Sequence, residues 1–258
     1  MPSRWLISIA GIDPQRVTPE FVHAAMTRWF DGSDHRATDK PYSLYPRTVD
    51  AVGPGWAAGG LEVEVGIVSE LAEDRLHEHA RPGAAIRLGS QHGTVRQVQL
   101  LHAESWGALA TWSHADRWRL TFHEPTTWST RNRTTPLPVP DTIVRNLHRA
   151  WRLWSPIPIP PRPQMWASDL SVVSDVLSAA ERRTRGLPST LKVVSACKGS
   201  IVLRATADSD VAEALLRLAP YTGVGSFTLK GMGVTTVDCM GAPRDMRQMR
   251  PLTRPAGA

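Results

Sequence analysis

Over the first hundred residues, the spacing of apolar side chains switches between strand and helix periods in a fixed order, and that order limits the folds open to the chain. Trp5–Ile12 is an apolar run cut short by Asp13-Pro14, which reads as a buried first strand. Thr18-Pro19-Glu20 then supplies an N-cap, a proline suited to the first helical turn and an early carboxylate. Phe21, Val22, Ala25, Met26, Trp29 and Phe30 recur at helical spacing, so residues 19–31 are expected as an amphipathic helix packed on that strand. Gly32-Ser33-Asp34 ends it, and a polar loop runs through His35 to Lys40. Pro41–Tyr45 and Leu61–Val68 read as strands, Leu71–Ala80 as a short helix, and Ala85–Leu88 and Thr94–Leu101 as further strands. Strand–helix–strand–strand–helix–strand is the split βαβ, or ferredoxin-like, plan.

The second half repeats this grammar more loosely. Trp118–Phe122 alternates as a strand, and Ile143, Leu147, Ala150 and Trp154 mark one face of a helix over 143–154. Pro156–Pro163 (PIPIPPRP) is a stiff extended connector. Leu191–Ser195 and Ser200–Ala205 read as two strands flanking a hairpin turn at Lys198-Gly199. Val211–Leu218 is a short helix and Val234–Val237 a closing strand. The expected fold is therefore α+β, two tandem ferredoxin-like (RRM-like) domains over residues 1–110 and 111–241, joined around 104–116. Residues 242–258, rich in Pro, Arg and Met, are expected to be a disordered tail.

No stretch approaches the ~18 consecutive apolar residues of a membrane span, and the N-terminal apolar run lacks a small-residue cleavage site. Cys197 and Cys239 cannot build a disulfide framework or a four-thiolate zinc site, so a reduced, cytoplasmic protein is expected. The net charge of +6 is unevenly placed: residues 1–114 hold 10 Lys+Arg against 13 Asp+Glu, and residues 115–258 hold 20 against 11. A basic half beside an acidic one points to a polyanion, nucleic acid first, engaged by the C-terminal part.

The sharpest local motif is Gly223-Val-Gly225-Ser-Phe-Thr-Leu-Lys-Gly231-Met-Gly233, two G-x-G pairs between the last helix and the last strand. Paired glycines let the backbone approach a ligand and turn N–H groups toward an anion, and Ser226, Thr228 and Lys230 add donors. The motif is neither a dinucleotide fingerprint, which opens a helix after a strand, nor a P-loop, which needs Gly-Lys-Ser/Thr.

Residues 218–233 resemble the C-terminal glycine-rich signature of the Cas6 family of CRISPR precursor-RNA endoribonucleases. Phe122–Trp128, Pro136–Pro140 and Val144–Trp151 resemble that family's central segment, and Arg28-Trp29-Phe30, the loop with His35, and Lys40–Ser43 resemble its catalytic region. The resemblance implies tandem ferredoxin-like domains and metal-independent cleavage of repeat RNA, without a cofactor, in which the 2′-hydroxyl attacks the adjacent phosphate. His35, Lys40 and Tyr42 are the implied catalytic residues: a histidine titrates near working pH and suits proton transfer, and a lysine stabilises charge on the phosphorane. His23 and His123 are reserve candidates.

For RNA binding the sequence nominates Gly223, Gly225, Ser226, Thr228, Lys230, Gly231 and Gly233, with Arg131, Arg133 and Lys198. Arg145 and Arg149, at i and i+4 on one helix face, could follow phosphates. Most tryptophans occupy apolar periodic positions and belong to cores; Trp128, between Thr127 and Ser129, reads as an exposed candidate for base stacking. The expected partners are CRISPR repeat RNA, as precursor and processed guide, other Cas effector subunits and a second copy of the chain. A non-catalytic RNA-binding subunit of the same superfamily would carry the same loop and basic half. A metal-dependent nuclease built on Asp34, His35 and Asp39 is a third reading.

Overall fold

The structure, a computed structural model, describes residues 1–31, 39–49, 60–111, 115–130, 133–180, 191–205 and 207–240. The first unit contains β1 (Ser3–Ala10), α1 (Pro19–Phe30), β2 (Tyr42–Val49), β3 (Gly60–Ile67), α2 (Glu70–His79), β4 (Ala85–Leu88) and β5 (Gln91–Ala103). Its antiparallel sheet runs β2-β3-β1-β5-β4. With β5 as the closing strand, this is the ferredoxin-like order, and β4 is an added edge strand in a hairpin with β5. Alternate residues of β1 and β3 (Ile7, Ile9, Val63, Val65, Ile67) pack with Met26 of α1 and Leu76 of α2, all fully buried. Burial of each such side chain stabilises the fold by roughly 1.5–3 kcal/mol. Ser69 caps α2 by accepting from the Ala72 N–H, as its position before the acidic first turn requires.

A single helical turn, α3 (Trp106–Leu109), leads into the second unit. There follow β6 (Arg117–Thr126), β7 (Trp128–Thr130), β8 (Arg133–Thr135), α4 (Pro140–Trp154), β9 (Trp166–Ala180), β10 (Leu191–Arg204), α5 (Ser209–Thr222) and β11 (Thr235–Cys239). The sheet order β11-β6-β10-β9 repeats that of the first unit, and β7–β8 form a separate hairpin. Trp118, Leu120 and Phe122 of β6 share a buried cluster with Ile143, Leu147 and Trp151 of α4 and Leu215 and Leu218 of α5. The chain is α+β with tandem ferredoxin-like sheets, as its periodicity implies.

Three local expectations are corrected. The hairpin turn at Lys198-Gly199 does not exist: β10 runs unbroken through both residues, pairing Lys198 with Val173 and Gly199 with Val172 of β9. Gly199, at φ +124°, marks a bulge in the pairing with β6, and a Cβ there would lie 2.1 Å from the Ser171 carbonyl oxygen. Trp128 is not exposed: it is 1% accessible, with its ring edge-on to Phe122 at 5.6 Å. Finally, α5 continues past Leu218 through Pro220 to Thr222.

That last turn locks the two units together. Ser43 of β2 donates to the Tyr221 carbonyl at 2.9 Å, and a Cβ on Gly66 of β3 would meet the same oxygen at 2.0 Å. Tyr45 of β2 donates to Glu124 of β6 at 2.7 Å, and Arg217 of α5 pairs with Glu104. The expected tail, 242–258, lies outside the described residues.

Candidate functional site

The glycine-rich segment joins α5 to β11 at the junction of the two units. All four of its motif glycines take positive φ: Gly223 at +66°, Gly225 and Gly231 at +82°, Gly233 at +73°. Two of them also need the missing side chain, because a Cβ would come within 2.4 Å of the Thr127 carbonyl oxygen at Gly225 and 2.0 Å of the Val224 oxygen at Gly233. The backbone binds itself and the end of β6: Val224 N–H donates to Gly233 O at 2.9 Å, Ser226 N–H to Thr127 O at 2.7 Å, Lys230 N–H to Phe227 O at 2.8 Å, and Gly233 N–H to Pro125 O at 3.3 Å. Several amides that the motif suggested for an anion are thus spent on building the loop. What it offers outward is side chains and shape.

A charged anchor faces it from the first unit. Asp31, which ends α1, accepts from Lys40 Nζ at 2.6 Å and from the Tyr42 hydroxyl at 2.8 Å. The Lys40 and Asp31 side chains are only 9% and 1% exposed. Burial, with the Asp31 carboxylate beside it, pushes the Tyr42 phenol well above its usual range. Tyr42 packs on Phe30, centroids 4.5 Å apart. His23, one face of α1 away, has its imidazole pKa lowered, first by burial and then by the Lys230 ammonium, with Lys40 acting in the same sense.

Between anchor and loop lies a polar cleft of about 370 Å³, lined by Asp39, Lys40, Ser129, Asn146, Arg149, Gly223, Gly225, Ser226 and Thr228 among others. The cleft therefore brings together Lys40, Arg149 and half of the glycine-rich segment. Arg149 of α4 reaches across to pair with Asp39, and Ser226 donates to Ser129 Oγ at 2.9 Å. The other nominated residues lie elsewhere or are engaged differently. Arg145 sits beside Asp141, one turn back, at 3.7 Å. Lys198 is 3.6 Å from Glu124, and Lys230 is 3.6 Å from Glu20, both away from the cleft. Gly231 packs near the Pro46 ring. His123 is exposed on β6, its Nε2 2.8 Å from Thr236 Oγ1. His35 and Arg131 fall outside the described residues, as does the side chain of Arg133. Asp31 was not nominated from sequence, although an acid at a helix end nine residues before the lone early lysine is the signal that could have found it.

Among the described residues no helix is long and apolar enough to cross a membrane. The family model described as CRISPR-associated endoribonuclease Cas6 matches residues 120–235. No curated protein matches the chain. Among solved structures, a Cas6 product complex aligns with TM-score 0.70 at 19% identity, covering 92% of this chain and 99% of that one. A second Cas6 product complex aligns at 0.67 and 22% identity, with the same coverage of 92% and 99%. Thermus thermophilus Cas6 aligns at 0.61 and 21% identity, covering 92% and 98%. These structures share the tandem ferredoxin-like fold, and the matched family segment runs from β6 through the glycine-rich loop into β11. The chain thus resembles Cas6 proteins in its sequence over residues 120–235 and shares their fold along 92% of its length.

Proposed function

We propose that the protein is a metal-independent endoribonuclease that cleaves CRISPR precursor RNA within its repeats to give guide RNAs. The observation that carries this reading is the polar cleft, where Lys40, at the end of the loop bearing His35, faces Arg149 and the glycine-rich segment. The family match and the likeness to Cas6 product complexes support it. A histidine-to-alanine variant is also among the similar Cas6 structures, which supports a histidine as the residue to test.

In this reading a phosphate of the repeat sits in the cleft. The 2′-oxygen attacks phosphorus and gives up its proton, the P–O5′ bond breaks, and the products are a 2′,3′-cyclic phosphate and a protonated 5′-hydroxyl. His35 transfers a proton. Lys40, held by Asp31, stabilises the negative charge that grows on the phosphorane. Tyr42, with its hydroxyl committed to Asp31, positions that carboxylate rather than exchanging a proton. Arg149, Ser226 and Thr228 grip the flanking phosphates, with Arg131, Arg133, Arg145, Lys198 and Lys230 along the RNA path. The domain division at 1–110 and 111–241 puts proton chemistry in the first unit and most of the RNA grip in the second. Other Cas subunits or a second copy complete the set of partners.

The test is cleavage of repeat RNA in EDTA with identification of the product ends. Cleavage is expected to persist and to leave a cyclic phosphate, and His35→Ala is expected to slow single-turnover cleavage by about 10²–10⁴-fold with little change in RNA affinity. Tight RNA binding by a wild type that never cleaves would favour the non-catalytic subunit. Cleavage abolished by EDTA would favour a metal-dependent nuclease.

A further inference from the structure

The glycine-rich segment has a second side. Sharing no lining residue with the polar cleft, a cavity of about 260 Å³ opens between the two units, lined by Tyr45 and Pro46 of β2, Pro125 at the end of β6, and Phe227, Lys230 and Met232 of the loop, with Glu20 and Glu124 also at its wall. Its volume is just below the roughly 300 Å³ at which small-molecule pockets begin, which suits one planar ring system.

Phe227 is the anomaly in this wall. It adopts φ +64°, ψ +28°, and Asp208 is the one other non-glycine residue at positive φ among those described. An aspartate tolerates the left-handed region; a phenylalanine is strained there. The turn itself asks only for backbone at this position: the Phe227 carbonyl accepts from Lys230 N–H at 2.8 Å and from Met232 N–H at 3.4 Å. Glycine would supply both contacts without strain, in a segment already rich in glycine. The ring is instead held at the cavity with Lys230 Nζ 5.8 Å from its centroid. Backbone strain kept in place of an available glycine points to use of the side chain.

We infer that this cavity takes one unpaired nucleobase of the bound RNA, stacked on Phe227. The inference rests on the RNA-processing reading above. RNA crossing the loop would set a phosphate in the polar cleft on one side and a base in the apolar cavity on the other. Every base has a π-face for the ring, and the cavity's polar groups match an edge that carries both signs. The Lys230 ammonium donates to a ring nitrogen or carbonyl oxygen, and the Glu20 and Glu124 carboxylates accept from amino or imino N–H groups.

Binding of repeat RNA to wild type and to Phe227→Gly tests it, with each unpaired nucleotide of the RNA made abasic in turn. Glycine suits the backbone, so the melting temperature of Phe227→Gly should not fall. Its affinity for the intact repeat should drop roughly 5- to 150-fold, the range for loss of one stacked base. At one unpaired position the abasic RNA should weaken the wild type by a similar factor and Phe227→Gly no further. Phe227→Leu, which keeps bulk at the same backbone, should show the same loss, whereas Phe227→Trp should not. A folded Phe227→Gly that binds like the wild type, or abasic penalties equal in both proteins at every position, overturns the base pocket. A wild type that does not bind repeat RNA overturns the functional reading instead.

Discussion

Two connections meet at the polar cleft, and they are held by opposite means. The one leaving α1 is tied by charge at its described ends: Asp31 takes Lys40 at 2.6 Å and the Tyr42 hydroxyl at 2.8 Å in nearly dry surroundings. The one leaving α5, residues 223–234, is pinned by backbone, through hydrogen bonds to β6 and contacts that leave no room for a side chain at Gly225 or Gly233. Topology does not dictate the difference, since both units share one strand order. The connection leaving α2, the first unit's counterpart of the glycine-rich segment, spans only residues 80–84, and its Gly83 has open space where a Cβ would stand. Equivalent places in a duplicated plan have thus been built for different tasks. A charged anchor fixes a cation at the cleft, and a backbone anchor fixes a surface there.

If the first connection depends on charge, removing one partner should cost most. Asp31→Ala leaves the Lys40 ammonium, 9% exposed, without that carboxylate. The expected loss is up to about 3–5 kcal/mol of stability, the range for breaking a buried ion pair. Denaturant unfolding reads it. A companion Lys40→Met in the Asp31→Ala background should recover part of the loss, because both charges are then gone. Equal stability of Asp31→Ala and wild type would mean that the pair is solvated and the contrast between the two connections is false.

The second connection should fail to one methyl group. Gly233→Ala places a Cβ against the Val224 oxygen, at 2.0 Å, in a residue at φ +73°. Left-handed strain of ~1–2 kcal/mol and overpacking of ~1–3 kcal/mol together predict a loss of about 2–5 kcal/mol. Gly83→Ala, at φ +88° with nothing within 4 Å, should incur the strain alone. The difference between these two melting temperatures measures how tightly the loop is built. Identical shifts would make it an ordinary glycine-rich turn.

The sequence showed the plan more clearly than the joints. Period-two and period-3.6 runs such as Val63-Val65-Ile67 and Val22-Met26-Trp29 act locally, so both ferredoxin-like units could be read from them. Gly199 misled because a glycine after a lysine signals a turn, whereas its register with Val172 across a long strand pair is a non-local fact. The strand β9 went unread because many of its residues are exposed, leaving no clear alternation from Trp166 to Val173. Trp128 looked exposed among Thr and Ser, yet the β7–β8 hairpin sets it against Phe122. The helix expected over Val211–Leu218 runs on to Thr222, through Pro220, because the tertiary contacts of Tyr221 hold that last turn down. At the site, residue types announced Lys40 and the glycines, while Asp31 stands out through its partners and Phe227 through its dihedral angles.

His23 senses both connections at once, and its titration is the finest measure of their approach. Its imidazole is half-buried on α1, and its pKa lies below 6.5 because of burial, Lys230 from the glycine-rich loop and Lys40 from the charged anchor, partly offset by Asp31 and Glu20. A lowered pKa means that the folded protein binds fewer protons than the unfolded chain just below pH 6.5. Stability from this group is therefore complete above the unfolded pKa and declines as pH falls through 6.5 toward the folded value. Unfolding free energies measured from about pH 7.5 to 5.5, above the carboxylate range, should fall on the acid side, and His23→Gln should flatten that slope. Lys230→Gln should raise the His23 pKa seen by NMR, and Gly233→Ala should raise it too if the displaced loop carries Lys230 away. A pKa that moves with Lys230→Gln and stays fixed in Gly233→Ala would show that the loop keeps its place despite the added methyl, and that its backbone anchor yields more easily than the contacts at Val224 indicate.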